Sequence, residues 1–389
     1  MQDAELSSWL RLSLTPSVGN ETARRLLARF GLPQAIFHLS ASALRSCVTA
    51  TQASALAVLP EGFETQLEAT QHWLNPCAAP PAPRAIVTLG DPGYPAALLA
   101  TEDPPLMLYL TGEALHAVPD GPWQTARSIG VVGSRNPTPQ GASNAHEFGK
   151  FFSQAGLTVV SGLALGIDAA AHEGALDGST EALPTSGHVP TIAVVGTGLD
   201  RVYPKRHLAL AHRIAGRGLL VSEYPLGTPA IAANFPRRNR LIAGLSQGVL
   251  VVEAALQSGS LITARMASEQ GKDVFAIPGS IHAPQSRGCH WLLKQGAKLV
   301  ETGQDVLEEL RLPWAGEASP ALPNVDRAAQ QQDVHPLLAQ LGFDPVGLDA
   351  LVDRTGIDIA SLQVQLLELE LEGFVARMPG GRFQRIGAA

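Results

Sequence analysis

The chain is poor in charge, in aromatic rings and in cysteine. Of its 389 residues only 16% are charged and 5% aromatic. Hydrophobic residues nevertheless make up 45%, too many for a disordered chain and enough for a sizeable core without covalent staples. Basic charge is the scarcer sign, with 28 Lys and Arg against 35 Asp and Glu and a formal net charge of −7. That balance excludes a uniformly basic coat for nucleic acid, though not a local basic patch. The three cysteines, Cys47, Cys77 and Cys289, are an odd number without CxxC spacing. They indicate neither a disulfide framework nor a zinc site, and the sequence calls for no metal and no cofactor. Charge, Gly and Pro interrupt the apolar runs, which argues against a membrane span. The opening MQDAELSSWLRLS has no basic region followed by an apolar stretch, so the expectation is a cytoplasmic protein without a signal peptide. GxxxxGK followed by Ser or Thr is also missing, which removes a P-loop ATPase.

At about 100–200 residues per domain, this length predicts two or three domains. Residues 1–80 read as helical, with apolar residues at helical spacing in Leu6, Leu10 and Leu12 and again in Ala23, Leu26, Leu27 and Phe30. Between them lies Pro16-Ser17-Val18-Gly19-Asn20, where Asn20 is placed to cap the second helix and Gly19 to allow the bend. An αα-corner explains this turn, and a phosphate-accepting helix-hairpin-helix or SAM-like module is the sharper alternative. The Pro-rich stretch 75–83 marks a boundary. From 81 to 312 short β-rich runs alternate with helical stretches: 85–89, 106–110, 128–132, 157–160, 191–195, 219–221, 249–252 and 274–277. The inner runs are apolar throughout, as parallel strands covered on both faces should be. The expected fold is α/β, an extended Rossmann-like doubly wound sheet whose first two runs extend one edge. Residues 313–333 read as a linker. The segment 334–389 reads as three helices and a hairpin, a winged helix. Residues 325–389 hold Arg 5, Asp 6 and Glu 3, a net of 5 − 9 = −4. The third helix carries Glu368, Glu370 and Glu372, which points to protein contact rather than duplex reading.

Open α/β sheets bind ligands beyond the carboxyl ends of their strands, and the candidate chemistry sits there. Gly133, Ser134 and Arg135 follow a strand and precede a helix, a position suited to phosphate. Gly162 opens the next such turn, followed by Asp168 and His172 on one helix face. An acid/base pair is one reading of those two, and a braced turn with a packed histidine is the preferred one. Gly196-Thr197-Gly198 is followed by Arg201 where a dinucleotide fingerprint needs glycine. Asn234-Phe235-Pro236-Arg237-Arg238-Asn239-Arg240 concentrates three arginines beside an aromatic ring. Arg matches phosphate oxygens bidentately and Phe235 offers a stacking face, a combination that favours single strands, while some of these arginines should brace the helix against acids such as Glu253. Ser258, Gly259 and Ser260 open another anion-receptive helix, although a plain cap explains the serines equally well.

The ordered set Val132-Gly133-Ser134-Arg135, Ser161-Gly162-Leu163-Ala164-x-Gly166-Ile167-Asp168-x3-His172, Phe235-Pro236-x-Arg238-Asn239-Arg240, Glu253-Ala254-x3-Ser258-Gly259-Ser260-Leu261-Ile262-Thr263 and Pro278-Gly279 resembles the DNA-processing protein A (DprA/Smf) family over roughly residues 6–310. The resemblance implies a non-catalytic mediator of recombination. Such a protein binds and protects single-stranded DNA and loads the RecA recombinase, typically as a homodimer, during natural transformation of competent cells. It assigns Gly133, Ser134, Arg135, Phe235, Arg237, Arg238 and Arg240 to the DNA pocket. Two departures stand out: the long 177–190 connection, expected to be a mobile surface loop, and the acidic terminal domain. The competing readings are a phosphoribohydrolase-like nucleotide enzyme using Asp168, His172 or Glu253, and a winged-helix transcription regulator.

Overall fold

A computed structural model describes residues 3–75, 82–117, 123, 127–179, 188–314, 335–343 and 345–386. Nine strands form one sheet: β1 Arg84–Thr88, β2 Met107–Thr111, β3 Ser128–Val132, β4 Thr158–Ser161, β5 Thr191–Val194, β6 Leu219–Ser222, β7 Gly248–Val251, β8 Asp273–Ala276 and β9 Lys298–Leu299. Their spatial order is β1-β2-β6-β5-β4-β3-β7-β8-β9. The strands from β3 to β9 run parallel, whereas β1 and β2 add antiparallel beside β6. The two early runs thus extend one edge, as their position ahead of the β-α alternation suggested.

Both faces of the sheet are covered, which explains the uninterrupted apolar runs. Ile129 and Val131 of β3 and Leu250 of β7 pack with Phe148, Phe152 and Ala171 on one face. Val249 and Val251 pack with Leu241, Ile242 and Ala264 on the other. The alternating side chains of the inner strands β3 and β7 therefore meet helices on both faces. The chain lays β3 to β6 outward in one direction, then returns past β3 to build β7 to β9. That reversal leaves a topological switch point between β3 and β7. β9 escaped the sequence reading because it is two exposed residues with no apolar run.

The N-terminal helices pack onto the antiparallel edge. Trp9, Leu12, Leu26 and Ile36 share a core with Leu106 and Met107, and Trp73 meets Tyr109 edge-on at 6.1 Å. Arg24 pairs with Asp103 at 2.6 Å. The turn between the first two helices differs from expectation. Asn20 begins the helix Asn20–Phe30 and makes no cap; Gly19, in extended backbone, precedes it, and the left-handed residue is Ser17 at φ 64°. Part of the segment expected as a loop is helical, because Asp177 and Gly178 end the helix Ile167–Gly178 and Asp177 binds His146 and Arg213. Residues 180–187 lie outside the described residues, as do 76–81 of the Pro-rich boundary and 315–333 of the linker. Trp314, at the start of that linker, stacks edge-on against Phe151 at 5.5 Å.

The terminal segment contains the helices Pro336–Leu341, Leu348–Thr355 and Ile359–Leu371 and a small sheet in the order β10-β12-β11, with β10 Val346–Gly347, β11 Val375–Met378 and β12 Arg382–Arg385. Leu338, Leu351, Leu362, Leu366, Val375 and Phe383 fill its core. This is the winged helix that the three helical runs and the Gly380-Gly381 turn announced.

Candidate nucleic-acid interface

A pocket of about 500 Å³ opens at the carboxyl ends of β3 and β7, at the switch point. Gly133, Ser134 and Arg135 form one wall, Ser258, Gly259 and Ser260 a second, and Phe235, Arg238 and Asn239 a third. The helices Pro139–Gln154, Ile167–Gly178, Asn234–Leu245 and Ser260–Glu269 all begin at this end of the sheet. Their dipoles favour negative charge at this end without any net positive charge on the protein.

Glu253 stitches two of these walls together. Its backbone carbonyl accepts from the N–H of Ser134 at 2.7 Å, and its carboxylate accepts from the N–H of Thr138 at 2.9 Å and from the Thr138 hydroxyl. Glu253 thereby holds Thr138, which caps the helix Pro139–Gln154 by accepting from the Gly141 N–H at 3.0 Å. Burial pushes the pKa of Glu253 up against its hydrogen bonds from Thr138. On the facing wall, the Ser258 and Ser260 hydroxyls lie 2.6 Å apart, and the Ser260 N–H donates to Ser258 Oγ at 3.3 Å.

The three arginines of the helix Asn234–Leu245 have three different environments. Arg238 is 4% exposed. Its guanidinium donates to the carbonyls of Gly162, at 2.6 Å, and Val194, and its Nη2 lies 4.0 Å from the Asp168 carboxylate. A Cβ on Gly162 would collide with this guanidinium, so glycine is what allows Arg238 to lie across the turn. Asp168 also accepts from the N–H groups of Gly162 at 3.1 Å and Ala164 at 3.3 Å. Burial raises its pKa and lowers that of Arg238, and the pairing opposes both shifts. Arg240 is turned toward the interior too, pairing with Glu223 and, at 3.3 Å, with Asp103. Arg237 alone of the three is exposed, and it lies outside the pocket lining.

Phe235 is half-buried at the pocket mouth, and a Cβ on Gly196 would stand 3.2 Å from its ring. The exposed Arg135 places its guanidinium 5.7 Å from the centre of that ring. Tyr203 is 50% exposed and lies 5.4 Å from Phe235 at an interplanar angle of 39°. Exposed Lys205 and Arg206 follow it. Nothing in the local sequence links Tyr203 to Phe235; the turns after β5 and β6 meet only in the folded sheet. Gly162 lines a smaller recess beside the main pocket, with Tyr203, Phe235 and Arg238.

The groups that an enzyme reading would use are committed elsewhere. His172 is fully buried, its Nδ1 is 2.6 Å from the Thr191 hydroxyl, and burial pulls its pKa down to about 3. Asp168 serves the turn and Arg238. A second pocket of about 520 Å³ lies at the opposite end of the strands, around Lys272 and Asp273. There Lys272 Nζ donates to the carbonyls of Ala243 at 2.7 Å and Gly244 at 2.9 Å, closing the C-terminus of the arginine-bearing helix. Among the described residues no group of three or more His, Cys, Asp or Glu is placed to hold a metal, and no helix is long and apolar enough to cross a membrane.

A family described as DNA recombination-mediator protein A matches residues 85–311, and one described as the DprA winged helix domain matches residues 318–381. Protein Smf of Escherichia coli (strain K12) is 40% identical over 390 residues, covering 98% of this chain and 96% of that protein. DNA processing protein DprA of Streptococcus pneumoniae is 45% identical over 220 residues, 56% of this chain and 72% of that protein. The X-ray structure of DprA from Streptococcus pneumoniae superposes with a TM-score of 0.62 at 35% identity, covering 79% of this chain and 98% of that one. With its sheet, strand-end turns and winged helix all matched, the chain belongs to the DprA/Smf family.

Proposed function

We propose that the strand-end pocket binds single-stranded DNA and that the protein, as a homodimer, hands that strand to the RecA recombinase during natural transformation. The observation that supports binding most strongly is the arrangement at the pocket mouth. Exposed Arg135 and the stackable rings of Phe235 and Tyr203 stand together over a pocket that several helix N-termini approach. Phosphates would rest on the turns at Ser134 and at Ser258 to Ser260, with Arg135 and Arg237 supplying charge. A base would stack on Phe235, which requires an unpaired strand. Family membership favours mediation over turnover, and the internal commitments of Asp168, His172 and Glu253 agree with binding rather than hydrolysis.

Fluorescence anisotropy with an oligo-dT strand and a duplex of equal length tests the binding step. At least tenfold preference for the strand, reduced by Phe235→Ala, is expected; equal affinity for both would sink the reading. For the hand-over, the lag before RecA filaments grow on single-stranded DNA should shorten when this protein is present, and an unchanged lag would remove that step. Release of base from nucleoside monophosphates, abolished by Glu253→Gln, would replace the whole account with the enzyme reading.

A further inference from the structure

The third helix of the winged domain, Ile359–Leu371, is apolar on two sides. Leu362, Leu366 and Leu369 point into the domain core. On the opposite side Ala360, Val364, Leu367 and Leu371 are exposed, with Val364 at 56%, Leu367 at 55% and Leu371 at 81%. Their intervals of four, three and four residues are those of a coiled-coil seam, not of scattered surface leucines. At 100° per residue the four fall within a narrow stripe facing away from the core. In heptad terms they occupy d, a, d and a, which puts Glu368 at e and Glu370 at g, one on each flank. Among the described residues neither carboxylate has an ion-pair partner.

We propose that this face docks an amphipathic helix of a partner protein, with an apolar a/d seam and Lys or Arg at its e and g positions. The flanking charge selects that occupant. Duplex DNA would bring phosphates against the acidic flanks. A second copy of the same helix brings no basic residue to either flank, leaving Glu368 and Glu370 desolvated and unpaired. A basic helix satisfies both carboxylates while covering the leucines. The seam is about two heptads, or roughly 20 Å, long, so the partner helix must itself be held by a folded domain or by flanking contacts.

The test uses the full chain and two synthetic 21-residue helical peptides with Leu at every a and d position, one carrying Lys and the other Glu at e and g. The Lys peptide should bind at least tenfold more tightly than the Glu peptide and weaken with added salt. Leu367→Asp with Leu371→Asp should lower its affinity at least tenfold, leaving the melting temperature and oligo-dT binding unchanged. Glu368→Lys with Glu370→Lys should reverse the peptide preference, a result that loss of folding cannot produce. Equal binding of the two peptides, or indifference to both variants, overturns the proposal. Concentration-dependent self-association of the full chain that Leu371→Asp removes would assign the face to a second copy and overturn the choice of partner.

Discussion

Two helices of this protein sit where a nucleic-acid contact would be sought, and they are built in opposite ways. Asn234–Leu245 opens onto the strand ends of the sheet and carries Arg237, Arg238 and Arg240; Ile359–Leu371 is the third helix of a winged domain and carries no base at all. The difference teaches that the number of charges on a helix is a poor guide to the charge it presents. Two of the three arginines face inward, one across Gly162 and Val194, the other to Glu223 and Asp103. The exposed arginine of the pocket lining is Arg135, which belongs to another turn, and of the helix's own three only Arg237 is exposed. On the winged helix, apolar and acidic residues both reach the surface, and they suit protein better than phosphate.

Breaking the comparison at its buried side should have the largest effect. Arg238→Ala would leave the Asp168 carboxylate buried without its cation, at a cost of about 3–5 kcal/mol. Arg237→Ala, a surface change, should stay within about 0.5 kcal/mol. Urea unfolding of the two variants measures the contrast, and equal losses would mean that the two arginines are not differently employed.

Acid provides a second probe of the core. His172 titrates near pH 3, against an ordinary value of 6.5. Between those values the unfolded chain binds a proton that the folded chain refuses. His172 should therefore contribute its stability in full above about pH 6.5 and lose it as pH falls, by at most about 1.4 kcal/mol per unit. From pH 7 to pH 4 the unfolding free energy of wild type should fall more steeply than that of His172→Asn, so that the wild-type advantage shrinks. Parallel curves would place His172 in water rather than in the core.

The pocket mouth should respond in affinity rather than in stability. Phe235→Ala is expected to cost about 1–3 kcal/mol of oligo-dT binding, with Tyr203→Ala costing less, while thermal midpoints hold. The smallest effect belongs to the other helix: Leu371→Asp should change oligo-dT affinity by less than twofold. A tenfold loss there would carry the DNA path onto the winged domain and erase the contrast.

Much of this architecture was legible in the sequence, for reasons that can be named. Eight of the nine strands of the large sheet were readable because buried parallel strands are continuous apolar runs, and β9 was not because its two residues are exposed. The turns at Gly133 to Arg135 and Ser258 to Ser260 were readable as strand-to-helix junctions. The fate of each arginine was not, since Arg238 and Arg240 find their acceptors 76 and 17 residues away, in Gly162 and Glu223. Nor was the meeting of Tyr203 with Phe235, which depends on the adjacency of β5 and β6 in the sheet.

The central claim is that a few exposed arginines at the switch point, rather than the arginine-rich helix as a whole, neutralise the phosphates of a single strand. The salt dependence of oligo-dT affinity tests it most directly. Each lost phosphate contact should flatten the slope of log K against log salt by about 0.7, so Arg135→Ala with Arg237→Ala should flatten it by about 1.4 and weaken binding at low salt. Unchanged affinity and slope in that double variant would contradict the account.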